Sequence, residues 1–407
     1  MSDPDTHDLS PPVTLLMAVA CGAMVANLYY AQTLIETIGP DIGLSPGLAG
    51  AIVTLTQLGY GLGLAFIVPL SDLVENKRLI LIATVGAVLG CLGIALAEGP
   101  MTFLAAALVT GVCSVGAQVL VPLAAKLSSR ERQGRTIGLV MSGLLTGIML
   151  ARPVASFVAG LAGWRAMFFV SAGVTALVGV ALLLMLPARR PDSTLRYRAL
   201  LASSFDLLRR YPVLRLRAAY QALLFIAFNM FWTAAPIVLT QRFGLGANGI
   251  ALFALAGAGG ALAAPIAGHF ADKGHARATT LGALLLLTAS FLATDAVVAA
   301  GSVIAFALGA VLIDAAVQLN QISGQRIIFG LDPAAGGRIN AAYMTIVFLF
   351  GASGSVIGSA SIAAGGWTLT SLIGVGIGGM ALALYALFDR RDASKRSVPL
   401  PAPSPRG

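Results

Sequence analysis

The 407 residues are 57% hydrophobic and 11% charged, where a water-soluble domain carries about a quarter charged residues. That balance excludes an ordinary soluble enzyme and points to a chain that crosses a membrane many times. The net charge of +9 does not indicate nucleic acid, because the basic residues fall in short loops between apolar runs.

Twelve apolar runs can be marked, each long enough to cross a bilayer: 13–38, 48–71, 78–97, 101–126, 136–162, 165–187, 216–241, 247–270, 277–296, 299–325, 338–364 and 367–388. The expected fold class is therefore all-α, with twelve transmembrane helices. The loops after even-numbered runs hold Lys77, Arg78, Lys126, Arg130, Arg132, Arg135, Lys273, Arg277, Arg326 and Arg338, whereas those after odd-numbered runs hold Arg165 and Arg242. By the positive-inside rule the even loops and both termini are expected in the cytoplasm of a cell with a bacterial-type inner membrane. Residues 1–12 contain no Lys or Arg, so the first run reads as a retained span and not as a signal peptide.

The first run contains a polar knot, Asn27-Leu-Tyr29-Tyr30-Ala-Gln32-Thr-Leu-Ile-Glu36. At helical spacing Tyr29, Gln32, Thr33 and Glu36 share one face, while Asn27 and Tyr30 point elsewhere. Such a face suits either a cavity wall or hydrogen bonding between helices, and Glu36, near the outer end of the run, either joins that face or reaches the interface. Between the second and third runs lies Pro69-Leu-Ser-Asp72-Leu-Val-Glu75-Asn-Lys77-Arg78. Between the eighth and ninth lies Gly268-His-Phe-Ala-Asp272-Lys273-Gly274-His-Ala-Arg277. The two aspartates are roughly 200 residues apart, as are Gln118 and Gln318, Gly134-Arg135 and Gly337-Arg338, and Trp164 and Trp367. An internal duplication follows: a six-span half over 13–187 and another over 216–388. They are flanked by tails at 1–12 and 389–407 and joined by an arginine-rich linker over 188–215. That linker has an amphipathic piece around Phe205, suited to an anionic membrane face.

The fourth run carries Gln118, the repeat-mate of Gln318. In the fifth run Arg152 precedes Pro153, some sixteen residues deep, too far in to reach the interface easily. It requires a carboxylate, helix carbonyls or water; facing a cavity, it would favour anionic or zwitterionic substrates. In the seventh run Asn229 and Trp232 are three apart and Pro236 follows, consistent with a lined hinge or with a kinked packing face. The tenth run places Asp314, Gln318, Gln321 and Gln325 on one stripe, which must face protein or water. The stripe is expected to line a cavity, with Asp314 alternately taking up and releasing a proton; a permanently paired structural aspartate is the alternative. Glycine pairs at four-residue spacing (Gly59/Gly63, Gly86/Gly90, Gly143/Gly147, Gly354/Gly358, Gly374/Gly378) suit close helix packing. Cys21, Cys91 and Cys113 lie in apolar runs and read as small core residues.

The charged loops and the duplicated plan resemble the signature of the major facilitator superfamily, Gly-x-x-x-Asp-Arg/Lys-x-Gly followed by basic residues. The first copy departs from it at Val68, Leu73 and Glu75. The segment Asn27 to Gln32 is similar to one in the drug/proton antiporter branch, as is the Asp314-x-x-x-Gln318 stretch. The antiporter Gly-Pro motif is altered, with Arg152 in place of the glycine and Ser156 at the next one. The resemblance implies two pseudo-symmetric six-helix bundles and alternating access. It implies a small organic substrate, exported in exchange for protons and carried by a functional monomer. Uptake of a metabolite and a non-transporting receptor are the alternatives. The matched positions of Asp72 and Asp272 at the ends of their spans, with Lys77, Arg78, Lys273 and Arg277 nearby, lead to the expectation of a gate in which the two aspartates favour the outward-open state; the alternative is that they only fix topology and loop turns. No phosphate-binding loop, metal-ligand spacing or dinucleotide site in a strand context is present, so no enzyme activity, cofactor or metal is expected.

Overall fold

The structure is a computed structural model that describes residues 9–129, 131–191, 196–262, 276–332 and 335–389. Among the described residues it is helical throughout. The first half comprises α1 (Pro11–Ala26), α2 (Ile35–Asp41), α3 (Ala51–Phe66), α4 (Asn76–Ala95), α5 (Pro100–Cys113), α6 (Gly116–Lys126), α7 (Gln133–Ala162) and α8 (Trp164–Met185). A connecting helix α9 (Tyr197–Arg210) leads to α10 (Pro212–Gln241), α11 (Ala247–Ala258), α12 (Ala276–Ala299), α13 (Val303–Phe329), α14 (Gly336–Gly351) and α15 (Ser353–Leu384).

Nine stretches among the described residues are long and apolar enough to cross a bilayer. The last, Gly336–Phe388, makes two passes, divided where Gly365 and Gly366 leave helical geometry. Gly366 has φ of 64°, a left-handed conformation that glycine adopts without strain. With the interrupted first span and the eighth, described as far as Leu262, these make up the twelve passes.

Two spans are less regular than their sequence implies. The first does not continue as one α-helix through its polar knot: α1 stops at Ala26, a turn follows, and Tyr30–Thr33 forms a 3₁₀ turn before α2. The backbone there closes i to i+3, with Leu28 N–H on Val25 O and Tyr29 N–H on Ala26 O. The single face expected for Tyr29, Gln32, Thr33 and Glu36 is therefore broken up. Asn27 turns into its own half, where its Oδ1 accepts from Ser171 Oγ at 2.5 Å. The fourth span likewise divides at Ser114, whose hydroxyl bonds back to Thr110 O at 2.7 Å.

Glycines set how closely helices approach within each half. A Cβ at Gly22 would sit 2.7 Å from Gly143 O, and one at Gly63 would sit 2.6 Å from Val112 O. Gly143 and Gly147 pack against the backbone of Ala18 and Gly22, and Gly354 and Gly358 against that of Ile226 and Met230. Backbone-to-backbone contact of this kind replaces the hydrophobic drive that lipid does not supply. Across the halves, α7 meets α11 and α3 meets α14. Helix α10 is buried along almost its whole length, which makes it the central post of the second half.

The connecting helix touches both halves. Tyr197 Oη donates to Phe66 O at 2.7 Å, and Ser203 Oγ accepts from Arg338 at 3.2 Å. It lies across the end of the bundle that carries the basic loops, with Leu200 and Leu207 buried and Phe205 exposed.

Candidate functional site

A cavity of about 700 Å³ lies between the halves. Asp72, Lys126, Ser204 and Arg338 line it on the side of the basic loops, and Tyr29, Arg152 and Asp314 line its inner end, next to Gln32 and Asn229. Gln118 lines the wall opposite Gln318, and Gln321 and Gln325 continue the α13 stripe along the lining. The period of 3.6 that puts Asp314, Gln318, Gln321 and Gln325 on one face thus meets space and not lipid.

At the inner end, Arg152 of α7 and Asp314 of α13 face each other from opposite halves. Their nearest charged atoms are 4.0 Å apart, and Arg152 is only 3% exposed. Arg152 Nε donates to Gln32 Oε1 at 2.8 Å. The guanidinium carbon lies 4.1 Å from the Trp232 ring centre, 4.9 Å from Phe228 and 5.3 Å from Tyr29. Trp232 Nε1 donates to Asp314 Oδ1 at 2.7 Å. A charged pair withdrawn from water in this way has no surplus of charge. Removing one member would strand the other at a cost of about 3–5 kcal/mol. The end of α11 and the 3₁₀ turn that follows it, Gly259–Leu262, come close here because Gly257 and Gly260 leave room: a Cβ on Gly260 would meet Asp314 Cβ and the α13 backbone.

Beyond this pair the path is shut by a polar seal centred on Asn229. Its Oδ1 accepts from Gln32 Nε2 at 2.9 Å and Gln57 Nε2 at 2.8 Å. Its Nδ2 donates to Gln57 Oε1 at 2.7 Å and Gly351 O at 3.0 Å. A second layer adds Thr54 Oγ1 to Ala352 O at 2.7 Å and Gly50 N–H to Ser359 Oγ at 3.0 Å. At the rim, Gln241 Nε2 donates to Glu36 Oε1 at 3.1 Å.

The structure therefore sorts the residues expected from sequence. Tyr29, Gln118, Arg152, Asp314, Gln318 and Gln321 line the cavity. Gln32 and Asn229 are not in its lining but in the seal behind it, and Trp232 stands behind Asp314. Glu36, expected either on the cavity face or at the outer interface, is not in the lining but at the far rim, beyond the 3₁₀ turn that separates α2 from α1. Of the loop residues, Asp72 pairs with Lys126 at 3.5 Å, while Arg78 and Arg190 both reach Glu75, at 3.3 and 3.6 Å. Lys77 lies in the first turn of α4. Asp272 and Lys273 lie outside the described residues.

Sequence reading missed Gln57, Tyr60, Phe225, Phe228 and Phe348. Gln57 carried a usable signal, a lone amide deep in an apolar run, but the rings did not, since aromatic residues in spans are ordinary. Gln221 was also missed: it accepts from Asn320 Nδ2 at 2.7 Å and supports Gln321 from behind. Among the described residues no cluster of His, Cys, Asp and Glu could hold a metal.

Comparison with known proteins agrees with this architecture. The family model described as Major Facilitator Superfamily matches residues 15–313 and 218–406. An uncharacterized transporter, YgaY, of Escherichia coli O157:H7 is 41% identical over 395 residues, covering 95% of this chain and 98% of YgaY. A chloramphenicol resistance protein of Streptomyces lividans is 27% identical, covering 67% of this chain and 70% of that protein. Among solved structures, a bacterial homologue of the human lysosomal transporter Spinster, inward-facing and occupied, superposes with a TM-score of 0.74 at 14% identity. That match covers 96% of this chain and 98% of the other. Two six-helix bundles around a central cavity, with a family match over nearly the whole chain, make this protein a membrane transporter, not an enzyme, and a member of the major facilitator superfamily.

Proposed function

We propose that the chain exports a small organic molecule by alternating access, in exchange for protons, acting as a monomer. The observation that carries this reading is the buried Arg152–Asp314 pair at the inner end of the cavity, one member from each half. With the basic loops in the cytoplasm, by the positive-inside rule, the cavity is open to the cytoplasm and sealed on the other side. Rocking of the halves would break the Asn229 seal and close the end flanked by Asp72, Lys126 and Arg338. Among the described residues Asp314 is the one carboxylate of the lining at the inner end, and it is the group proposed to carry the proton. Arg152 is then the counter-charge it leaves and rejoins. Similarity to a chloramphenicol resistance protein and, at 23% identity over 174 residues, to a purine ribonucleoside efflux pump supports export over uptake.

Substrates would be found by comparing compound accumulation in cells with and without the protein, in the presence and absence of a protonophore. In proteoliposomes with an imposed pH gradient, Asp314→Asn should lose gradient-driven export while retaining substrate exchange. Unchanged dependence on the gradient would remove Asp314 from coupling.

A further inference from the structure

The Arg152–Asp314 pair at the inner end of the cavity carries no net charge, but it leaves part of the guanidinium uncommitted. Arg152 has five N–H donors in a planar fork. Among the described residues only Nε has a hydrogen-bond partner, Gln32; Nη1 stands 4.0 Å from Asp314, beyond hydrogen-bond range, and the buried Nη2 has none. Asp314 meanwhile commits one oxygen to Trp232. An uncommitted guanidinium edge at the end of a cavity suits a carboxylate, whose two oxygens match the fork.

Two independent features agree. The described charged residues in the lining are three cations, Lys126, Arg152 and Arg338, against two carboxylates, Asp72 and Asp314, an excess of one positive charge. The lining also carries a continuous ring surface close to Arg152. Tyr60 and Phe348 are 4.6 Å apart, Phe348 and Phe225 4.9 Å, and Phe225 and Phe228 5.4 Å with planes only 9° from parallel. Phe228 in turn lies against the guanidinium. A cationic substrate would meet Arg152 at the innermost position, with Asp314 already opposite it. A phosphate dianion would find one arginine where it needs more.

We propose that the substrate is an amphipathic organic anion, in its simplest form an aryl carboxylate, with its carboxylate on Arg152 and its ring against Phe225, Phe228 and Phe348. This rests on the reading of the cavity as a transport path. It is tested with two probes of nearly equal shape, naphthalene-2-carboxylate and naphthalene-2-carboxamide, on the full-length purified protein, following tryptophan quenching and the thermal unfolding midpoint. The acid should bind about tenfold tighter than the amide or better, the difference that one charge-assisted hydrogen-bond pair gives. In Arg152→Lys the preference should shrink, because a point charge replaces the fork. Arg152→Gln alone strands Asp314, so the decisive variant is Arg152→Gln with Asp314→Asn, which leaves no unpaired charge; there the acid and the amide should bind alike.

Equal binding of acid and amide by the unaltered protein, an acid preference that survives in the double variant, or no binding of the acid up to millimolar concentration would each overturn the proposal. Counterflow in proteoliposomes separates it from the transport reading. Acid-selective binding without counterflow of labelled naphthoate would keep the anion site and remove the transport path. Counterflow of the amide as fast as that of the acid would keep the path and overturn the anion preference.

Discussion

Removing the Asn229 side chain should shift the protein away from the conformation described. Its amide is fully used, with two hydrogen bonds accepted and two donated, and these tie α10 to the first span, α3 and α14. Hydrogen bonds between membrane helices contribute about 0.6–1.5 kcal/mol each. Asn229→Ala deletes four, of which the three to Gln32 and Gln57 cross between the halves, so the sealed state should lose about 2–4 kcal/mol relative to one in which water reaches these groups. That is between one and three powers of ten in the population ratio. Spin labels at Leu48→Cys and Arg242→Cys, exposed positions of the two halves at the sealed end, would report it in a background lacking Cys21, Cys91 and Cys113. A longer label-to-label distance should become prominent in Asn229→Ala, and Gln57→Leu should move the distribution the same way. An unchanged distribution in both variants, with the protein folded, would mean that the seal does not set the conformational balance.

Asp72→Asn should cost the conformation described less than about 1 kcal/mol, because the pair with Lys126 is solvent-exposed on both sides. Reactivity of a cysteine placed behind the Asn229 seal should fall if Asp72 favours the outward-open state, and unaltered reactivity with full transport would refute that role. Gly260→Ala forces a methyl to within 2.9 Å of Val311 O and Ala315 N. Overpacking of this kind costs about 1–3 kcal/mol and should lower the thermal midpoint of the purified protein; an unchanged midpoint would show that the turn after α11 can retreat. Asp41, beyond the first apolar run, is held below the usual carboxylate range by donors from Arg165 and then Trp164. A depressed carboxylate stabilises the fold above its unfolded pKa and stops doing so as pH falls through its folded one. Any difference in midpoint between the unaltered protein and Asp41→Asn should therefore be present near neutrality and close below about pH 4.

Much of this was legible because membrane chains write their fold in composition. Apolar runs set the passes, and the duplicated spacing paired the halves: Gln118 and Gln318 do line one cavity, and Trp164 and Trp367 each join an aromatic cluster in their own half. The α13 stripe was readable because four polar groups at helical period inside a span have few places to go. The course of the first span was not, since the departure at Asn27 depends on Ser171 and Cys91 from other helices. Nor was the partner of Arg152, because the choice between carboxylate, carbonyl and water is made by α13, far away in sequence. The same holds for Asn229: its amide could be seen, but not that it would close four contacts at once.

The connecting helix α9 is 14 residues long, a rod of about 21 Å. It is hydrogen-bonded to Phe66 at one end and to Arg338 nearer its middle. A flexible linker of that length would only keep two moving bodies together, whereas a rod attached to both acts as a strut. The halves can then turn about it but cannot spread apart at this end without releasing Tyr197 or Ser203. The widest aperture is therefore a property of the joint as well as of the bundles, and shortening α9 by a helical turn should narrow the range of molecular sizes admitted before it alters affinity for any of them.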